Sequence, residues 1–535
     1  IDINRGAGGS APRFLYTDAS GTYLGGVWGG QSGTLLRMNP NATQVTRVAD
    51  VDDHGTGDAN PEEWVRWGDE LVCSAQDESG RRVLWLTDGS RLNTRKLQFN
   101  ANSSGDQHPW FVFRDELFVT NGTNRVYRIK RNTLGYFDLP AGREARVCWL
   151  SGDTVFIDAY DSTSTELYAW KSGTTTSLLL TSSGFYTLGP GAALPDGRTV
   201  FRATDTSGEE LWISDGTAAG TSRLADLNPG PNSSSPFDMC SVGNKVVFSA
   251  YPGTVSRQLF ATDGTTSGTV QLPPTKSTGT SQPLHLVAHR GQCYFTADDD
   301  AGRAIFRSDG TATGTVKIVA TPASPIQLRP VGSRHVYFRM YDPPRGLQYF
   351  RCDVVTKSLT LIELGSTLPD DVANVRNRPF GALDDRVFTA GRVTYNGVGD
   401  GVEPWVIEND ATSVVREPAC GSATQQPRLL ATDPVIGTTQ SISHADVAVN
   451  SVGILMLGMP GIGTLSGCTV HLDPWAPLYT IDAWLAPTPT HTSTLAIPND
   501  TGLKGLRYML QGYYTPTSAP AGFDLSNGVL NIVGN

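Results

Sequence analysis

A chain of 535 residues with a formal net charge of −10 is too long for one ordinary domain and lacks the basic patch that nucleic-acid binding needs. Its 58 glycines and 33 prolines favour short strands joined by many turns over long helices. No apolar run approaches the ~20 residues of a membrane-spanning helix, so no transmembrane segment is predicted.

The sequence starts at Ile1 rather than at a methionine. We therefore expect a mature secreted or cell-surface chain whose signal peptide has been removed. Residues 1–11 show no strand pattern and are predicted to form an extended arm, able to add a strand to a sheet of a neighbouring molecule.

Residues 12–419 repeat one pattern, in which turns separate short apolar strands. The clearest copies are ELWISDGTAAGTSRL at 210–224, LWLTDGSRLNTRKL from Leu84, LFATDGTTSGTVQL from Leu259 and IFRSDGTATGTVKI from Ile305. Each unit reads as four antiparallel strands, and such a repeat of about 40 to 50 residues is typical of a β-propeller blade. We predict an all-β protein whose propeller has nine four-stranded blades; an eight-bladed ring with one unit outside it is the alternative.

Both faces of each predicted blade carry apolar residues. In ELWISDG, Leu211 and Ile213 point to one side of the strand and Trp212 to the other. This pattern is expected when neighbouring blades cover a sheet on both sides.

The DGTxxGT string is interpreted first as a turn. Asp-Gly between apolar runs favours a hairpin, and the carboxylate can accept hydrogen bonds from the backbone just ahead of it. Gly220 is expected to supply a second left-handed or bulged position. The alternative is a ring of calcium ligands, but an equivalent Asp in several blades argues against catalysis. The turn residues are Asp88, Asp215, Asp263 and Asp309.

After residue 419 the repeat stops. Residues 420–535 alternate through short apolar segments such as SVGILMLGM and LRYMLQGYY, and are predicted to form a separate β-sandwich domain. Five of the seven cysteines lie inside apolar, strand-like runs and are interpreted as buried thiols. Cys420 and Cys468, both in the C-terminal region, are candidates for a disulfide in an oxidising compartment.

Two segments resemble known families. ELWISDGTAAGTSRLADLNPG at 210–230 resembles the ELWxxDGT repeat of secreted bacterial proteins, which implies export and a propeller-like array and supplies no catalytic residue. Residues 420–535 resemble a module at the C-terminus of many secreted bacterial proteins, through CGSATQQPRL, GCTVHLDP, GLKGLRYMLQGYY and GFDLSNGVLNIVGN. That module implies a non-catalytic surface or attachment domain. Cys420 and Cys468 occupy its matching cysteine positions, which favours the disulfide.

No sequence motif predicts a catalytic centre or a bound cofactor. Patterns such as HExxH, GxSxG and the P-loop are missing from the sequence. The eight histidines are scattered and read as isolated side chains. The acidic loop DVDDHGTGD makes Asp50, Asp52 and Asp53 weak calcium candidates, although a solvated loop explains it equally well.

These observations predict a non-enzymatic extracellular structural or adhesion protein. Self-association through the arm or the C-terminal domain, into a surface layer or filament, is one version, and a cell-surface or glycan partner is expected. A glycan-binding propeller is the alternative, with aromatic pockets from Trp28, Trp67, Trp110 or Trp149. A propeller hydrolase or lyase using carboxylates around the channel is a third hypothesis.

Overall fold

The computed structural model is all-β. It describes residues 13–533 except 19–20, 29–30, 39–43, 51–61, 78–80, 98–105, 131–132, 172–177, 181–186, 189–190, 207, 254–255, 278–279, 332–333, 344–345, 363–380, 384–385, 396–397, 409–411, 417–426, 433, 466–467, 474–475, 501–502, 504–505 and 516–522. In this part of the chain no helix is long and apolar enough to cross a membrane.

Nine consecutive antiparallel sheets, here called blades 1 to 9, occupy most of the described chain. The strands of blades 1 to 4 are β1 (Arg13–Asp18), β2 (Gly21–Trp28), β3 (Gln31–Met38), β4 (Val45–Asp50); β5 (Glu62–Trp67), β6 (Glu70–Gln76), β7 (Arg82–Thr87), β8 (Arg95–Lys96); β9 (His108–Phe113), β10 (Glu116–Thr120), β11 (Arg125–Lys130), β12 (Thr133–Asp138); and β13 (Glu144–Ser151), β14 (Thr154–Tyr160), β15 (Thr165–Lys171), β16 (Leu178–Leu179).

The strands of blades 5 to 9 are β17 (Thr187–Leu188), β18 (Ala192–Ala193), β19 (Thr199–Asp205), β20 (Gly208–Ser214), β21 (Ser222–Ala225); β22 (Phe237–Val242), β23 (Lys245–Ala250), β24 (Gln258–Thr262), β25 (Val270–Gln271); β26 (Leu284–His289), β27 (Gln292–Asp299), β28 (Gly302–Ser308), β29 (Val316–Ala320); β30 (Ile326–Val331), β31 (His335–Asp342), β32 (Gly346–Asp353), β33 (Ser358–Ile362); and β34 (Gly381–Leu383), β35 (Arg386–Tyr395), β36 (Val398–Glu408). In blade 5 the first strand is broken into β17 and β18.

The blades form a closed ring. The first strand of each blade lies beside the first strand of the next, and β34 of blade 9 lies beside β1 of blade 1. These inner strands surround the central channel. The prediction of a nine-bladed propeller is confirmed, with three described strands rather than four in blade 9.

The hydrophobic core lies between the blades, as the two-faced strand pattern predicts. Leu211 and Ile213 pack with Phe248 and Phe260 of blade 6. Trp212, on the opposite face of the same strand, packs with the cluster of Trp149 and Phe156 in blade 4. A lone four-stranded sheet cannot bury two apolar faces, so each blade depends on both neighbours.

The C-terminal domain begins earlier than the predicted boundary at 419/420. Strand β37 (Thr412–Arg416), expected to complete the ninth blade, instead pairs with β47 (Gly528–Ile532). Pairing with a strand distant in sequence decides this assignment, and the repeat pattern carries no information about such pairing. The propeller repeat therefore ends with β36.

Two sheets of this domain pack face to face. One has the strand order β37-β47-β45-β40-β43, with β46 paired to β45, and the other has the order β38-β39-β44. Leu429 and Ile442 of the smaller sheet share a buried core with Leu455, Leu510 and Val529 of the larger sheet. The remaining strands are β38 (Arg428–Ala431), β39 (Thr439–Ala445), β40 (Val452–Gly458), β41 (Pro460–Leu465), β42 (Cys468–Leu472), β43 (Tyr479–Leu485), β44 (His491–Ala496), β45 (Arg507–Thr515) and β46 (Asp524–Leu525).

Candidate functional site: a cavity on blade 7

In the repeated DGT loops the aspartate is bonded to its own loop. Asp215 Oδ1 accepts hydrogen bonds from the Thr217 backbone N–H (2.8 Å) and the Thr217 hydroxyl (2.7 Å). Asp263 and Asp309 make the same two bonds with Thr265 and Thr311. In blade 2, Asp88 accepts from the Ser90 N–H (2.8 Å) and the Asn93 amide (2.6 Å). These loops are closed by side-chain hydrogen bonds, as in an Asx turn.

The two glycines of the loop have different roles. Gly216 has a φ of +82°, a conformation that glycine adopts without a steric penalty. Gly220, for which a left-handed or bulged position is expected, does not have a positive φ, and a Cβ at this position would lie 2.1 Å from Asp215 Oδ1. Its hydrogen side chain makes room for the aspartate carboxylate, and Gly268 and Gly314 are packed against Asp263 and Asp309 in the same way.

Hydrogen bonding from the loop threonines lowers the pKa of Asp215, Asp263 and Asp309, so these carboxylates are ionised at neutral pH. Within the described ranges, no group of three or more His, Cys, Asp or Glu side chains is arranged to hold a metal ion. A ring of calcium sites would need the carboxylate oxygens of the DGT aspartates as ligands. These oxygens are directed into the turns instead.

Blade 7 departs from the repeat at the residue two positions before the aspartate. Leu86, Ile213 and Ala261 fill this position in blades 2, 5 and 6, where each is buried against a neighbouring blade. In blade 7 the position holds Arg307, whose side chain is exposed. A charged side chain therefore stands where the other blades use an apolar one for packing.

A cavity of about 410 Å³ lies beside Arg307. That volume is within the range of small-molecule sites, roughly 300–1,000 Å³. Its lining residues come from three neighbouring parts of blade 7, namely the β26–β27 turn, the middle strands and the DGT loop with the start of β29. They are Arg290, Gln292, Tyr294, Arg307, Asp309, Thr313, Gly314 and Val316.

The charged side chains that line the cavity differ in the partners that they already have. Among the described residues, none forms a hydrogen bond or an ion pair with the Arg307 guanidinium. Asp309 is ionised, but its Oδ1 is occupied by two donors from Thr311. Arg290 contributes a second guanidinium and also donates a hydrogen bond to the carbonyl of Ala431 in the C-terminal domain. The cavity therefore presents two cations against one internally bonded anion.

Polar side chains on the inner strands form contacts between adjacent blades. The Glu63 carboxylate lies 2.9 Å from His108 Nδ1, and this contact raises the pKa of His108. Asp238 Oδ2 accepts from the backbone N–H of His285 at 2.8 Å. Glu63, Asp238 and His285 all have a left-handed φ between 52° and 58°, at bulges of the inner strands. These contacts join adjacent blades.

The tryptophans proposed for glycan pockets serve packing where they are described. Trp67 and Trp149 are buried between blades, and Trp110 is partly buried against the core shared by blades 3 and 4. The side chain of Trp28 lies outside the described residues.

The C-terminal domain brings together side chains that sequence reasoning treated as isolated. His444 Nε2 lies 3.1 Å from Ser493 Oγ, and His444 Nδ1 lies 3.0 Å from the Tyr514 hydroxyl. Ser493 donates to Asp482 Oδ2 at 2.7 Å, and His491 Nε2 contacts the same oxygen at 2.9 Å. Burial holds the pKa of His444 near 3, so its ring is neutral. A single proton arrangement satisfies every group: Tyr514 donates to Nδ1, and the Nε2–H donates to Ser493.

Several predictions lie outside the described residues. These are the arm at 1–11, Asp52, Asp53, Cys420, and the side chains of Asp50 and Cys468. Export, the ELWxxDGT resemblance and the Cys420–Cys468 disulfide stay predictions. Cys73, Cys240, Cys293 and Cys352 are free and buried.

No protein-family model and no curated protein matches this chain. Solved structures similar to it contain propellers. A structure described as YCF48 bound to D1 peptide is 14% identical and covers 56% of this chain and 94% of its own, with a TM-score of 0.34. A prolyl endopeptidase is 10% identical and covers 82% of this chain and 55% of its own, with a TM-score of 0.41. The β-propeller domain of the Trilobed protease from Pyrococcus furiosus is 13% identical and covers 58% of this chain and 97% of its own, with a TM-score of 0.33.

The prediction of a structural or adhesion protein is contradicted by this comparison, in which the similar structures are mainly propeller-containing peptidases, including puromycin hydrolases. The expectation that the chain is not an enzyme stays a prediction. At such low identity the likeness extends to the fold and to no activity. The comparisons and the strand topology agree on one conclusion: this chain is a β-propeller protein.

Proposed function

We propose that this protein binds a small anionic ligand, bearing a carboxylate or phosphate group, in the cavity on blade 7. The observation that carries the proposal is Arg307. This exposed guanidinium lines the cavity, and no described residue pairs with it. Guanidinium groups recognise carboxylates and phosphates through parallel N–H donors, and two of them in one cavity favour an anion over a neutral or cationic ligand.

The repeat itself supports a role for Arg307 outside folding. Equivalent positions in blades 2, 5 and 6 bury Leu86, Ile213 and Ala261. An apolar residue at 307 would therefore suit the fold, so the arginine is not explained by packing. Tyr294 adds an aromatic wall, and Gln292 an amide, to a site whose electrostatic character comes from Arg290 and Arg307.

The proposal is tested by isothermal titration calorimetry with pyrophosphate and with citrate, which separate phosphate from carboxylate recognition. We expect at least one of them to bind the intact chain. Arg307→Ile, which restores a repeat-like residue, is expected to weaken binding at least about tenfold, since charge-assisted bonds contribute about 1.5–3 kcal/mol. The matched control is Arg114→Ala, which also removes one exposed positive charge but lies in blade 3 and pairs with Asp153.

Equal binding by the wild type and Arg307→Ile, or no heat of binding for either anion, would overturn the proposal. Circular dichroism of Arg307→Ile guards against loss of the fold as the cause.

A further inference from the structure

We propose that Cys240 and Cys293 form a redox-active pair, in which a small-molecule disulfide oxidises the two thiols to one disulfide bond that joins blade 6 to blade 7. Cys240 lies on β22, the inner strand of blade 6, and Cys293 lies on β27, the second strand of blade 7. Both cysteines are free thiols in this structure. The proposal does not depend on the anion site.

The two thiols meet in the core between the blades. Blades 6 and 7 share one buried cluster, which contains Cys240, Ala261, Cys293 and Phe295. Strand β22 lies beside both β26 and β27. Cys293 faces blade 6 because side chains alternate along a strand, and the next residue, Tyr294, packs on the opposite side with blade 8. Within the shared core the thiols of Cys240 and Cys293 lie in hydrogen-bonding contact.

The repeat indicates that packing alone does not require sulfur at these two positions. The strand registers place Val246 of blade 6 at the position of Cys293, and Val287 of blade 7 at the position of Cys240. Valine therefore fills each position in a neighbouring blade. The two cysteines that replace it lie at the same interface and contact each other.

Burial controls how such a bond forms. The attacking species in thiol–disulfide exchange is a thiolate. Burial, together with the contact with Cys240, raises the pKa of the Cys293 thiol well above its ordinary value, so the exchange is slow and proceeds when the interface opens. Cys240 has 6% of its surface exposed and Cys293 has none. Cys240 is therefore the sulfur that a small disulfide reaches first.

The exchange balances without a further reagent. The Cys240 sulfur loses its proton and attacks one sulfur of the small disulfide, whose other half leaves as a thiolate. The Cys293 sulfur then loses its proton, attacks Cys240 Sγ and expels the second half as a thiolate. Both protons pass through solvent to the leaving thiolates. The two protein thiols are oxidised, and the small disulfide is reduced to two thiols.

Incubation of the full chain with hydroxyethyl disulfide, a small neutral oxidant, tests the pair by peptide mapping under non-reducing conditions. We expect a linked pair of peptides that contain Cys240 and Cys293. Cys293→Val should trap Cys240 as a mixed disulfide with one half of the oxidant, whereas Cys240→Val should leave Cys293 unmodified. The matched controls are Cys73→Ala and Cys352→Ala, which remove other buried free thiols and should give the same linked pair as the wild type.

The oxidised wild type is expected to unfold at a temperature at least about 2 °C above that of the reduced protein, because a cross-link restricts the unfolded chain. Absence of the linked peptides from the oxidised wild type, or linkage of Cys240 or Cys293 to another cysteine, would overturn the proposal. Modification of Cys293 in Cys240→Val would overturn the order of attack. A bond that forms without raising the unfolding temperature would overturn its role in joining the blades.

Discussion

The carboxylate of Glu210 accepts a hydrogen bond from the hydroxyl of Ser234 at 2.5 Å, and both side chains are fully buried. The same carboxylate accepts from the backbone N–H of Ser234 (2.8 Å) and of Leu227 (2.9 Å). Glu210 is the first letter of ELWISDGT, and its partners lie in the connection to blade 6. The glutamate of this motif therefore holds the segment between two blades.

Replacing Glu210 by glutamine is expected to destabilise the propeller by about 1–3 kcal/mol, because an amide nitrogen would face backbone donors and leave one of them unsatisfied. Ser234→Ala removes only the hydroxyl and should cost less, about 1 kcal/mol. Urea denaturation of both variants and of the double variant measures this. Additive losses would contradict the shared network, since coupled residues give non-additive changes.

Gly220→Ala is expected to destabilise the protein by about 1–3 kcal/mol, as other overpacked sites do, because the new methyl would overlap the Asp215 carboxylate. The double variant Asp215→Ala, Gly220→Ala supplies the control. With the carboxylate gone, adding the methyl should cost little beyond the loss of the turn bonds. Thermal unfolding is the measurement, and an equal cost of Gly220→Ala in both backgrounds would refute the steric explanation.

His444 makes the C-terminal domain sensitive to acid. Its folded-state pKa of about 3 lies below the ordinary value of 6.5, so the unfolded chain takes up a proton that the folded chain excludes. Stability is fully present above pH 6.5 and falls by up to about 1.4 kcal/mol per pH unit as the pH drops toward 3. His444→Gln should be less stable at pH 7 but lose less stability on acidification. Parallel pH profiles of the two proteins in urea denaturation would count against this assignment.

Gly453 provides the space for Trp484 on the paired strand. A Cβ at Gly453 would lie 2.5 Å from the indole, whose ring stacks on His491 at a centroid distance of 4.0 Å. Gly453→Ala should displace the indole, cost about 1–3 kcal/mol and separate the stacked rings. The nuclear magnetic resonance shifts of the His491 ring protons report the stacking directly. Unchanged shifts in the folded variant would show that the strands absorb the methyl elsewhere.

The ring of blades was predictable because its determinants are local and repeated. The alternation of Leu211, Trp212 and Ile213 indicates two covered faces without any knowledge of the partners. Arg307 could also have been found, by aligning the four best copies of the repeat and asking which one places a charge at an apolar position. Its cavity could not, because the volume depends on how neighbouring strands pack.

Contacts between strands that are distant in sequence could not be predicted from the sequence. His444 and His491 face each other because β39 pairs with β44 in one register, and a shift by one residue would turn one of them to the opposite face. The same holds for β37, whose alternating pattern suits a fourth blade strand as well as a sandwich strand. Only the pairing with β47 decides between them.

The pairing of β37 with β47 and the contact of β1 with its ring neighbour β34 have a consequence for synthesis on the ribosome. Blade 1 emerges first among the described strands, yet its second covering neighbour, blade 9, emerges after all the others. Strand β37 cannot pair with β47 until the rest of its domain has been translated. Two closures of long sequence separation therefore come late, and such contacts slow folding and leave sheet surfaces open to association in the meantime. A nascent chain of this protein is expected to need protection during the interval between completion of blade 1 and arrival of blade 9.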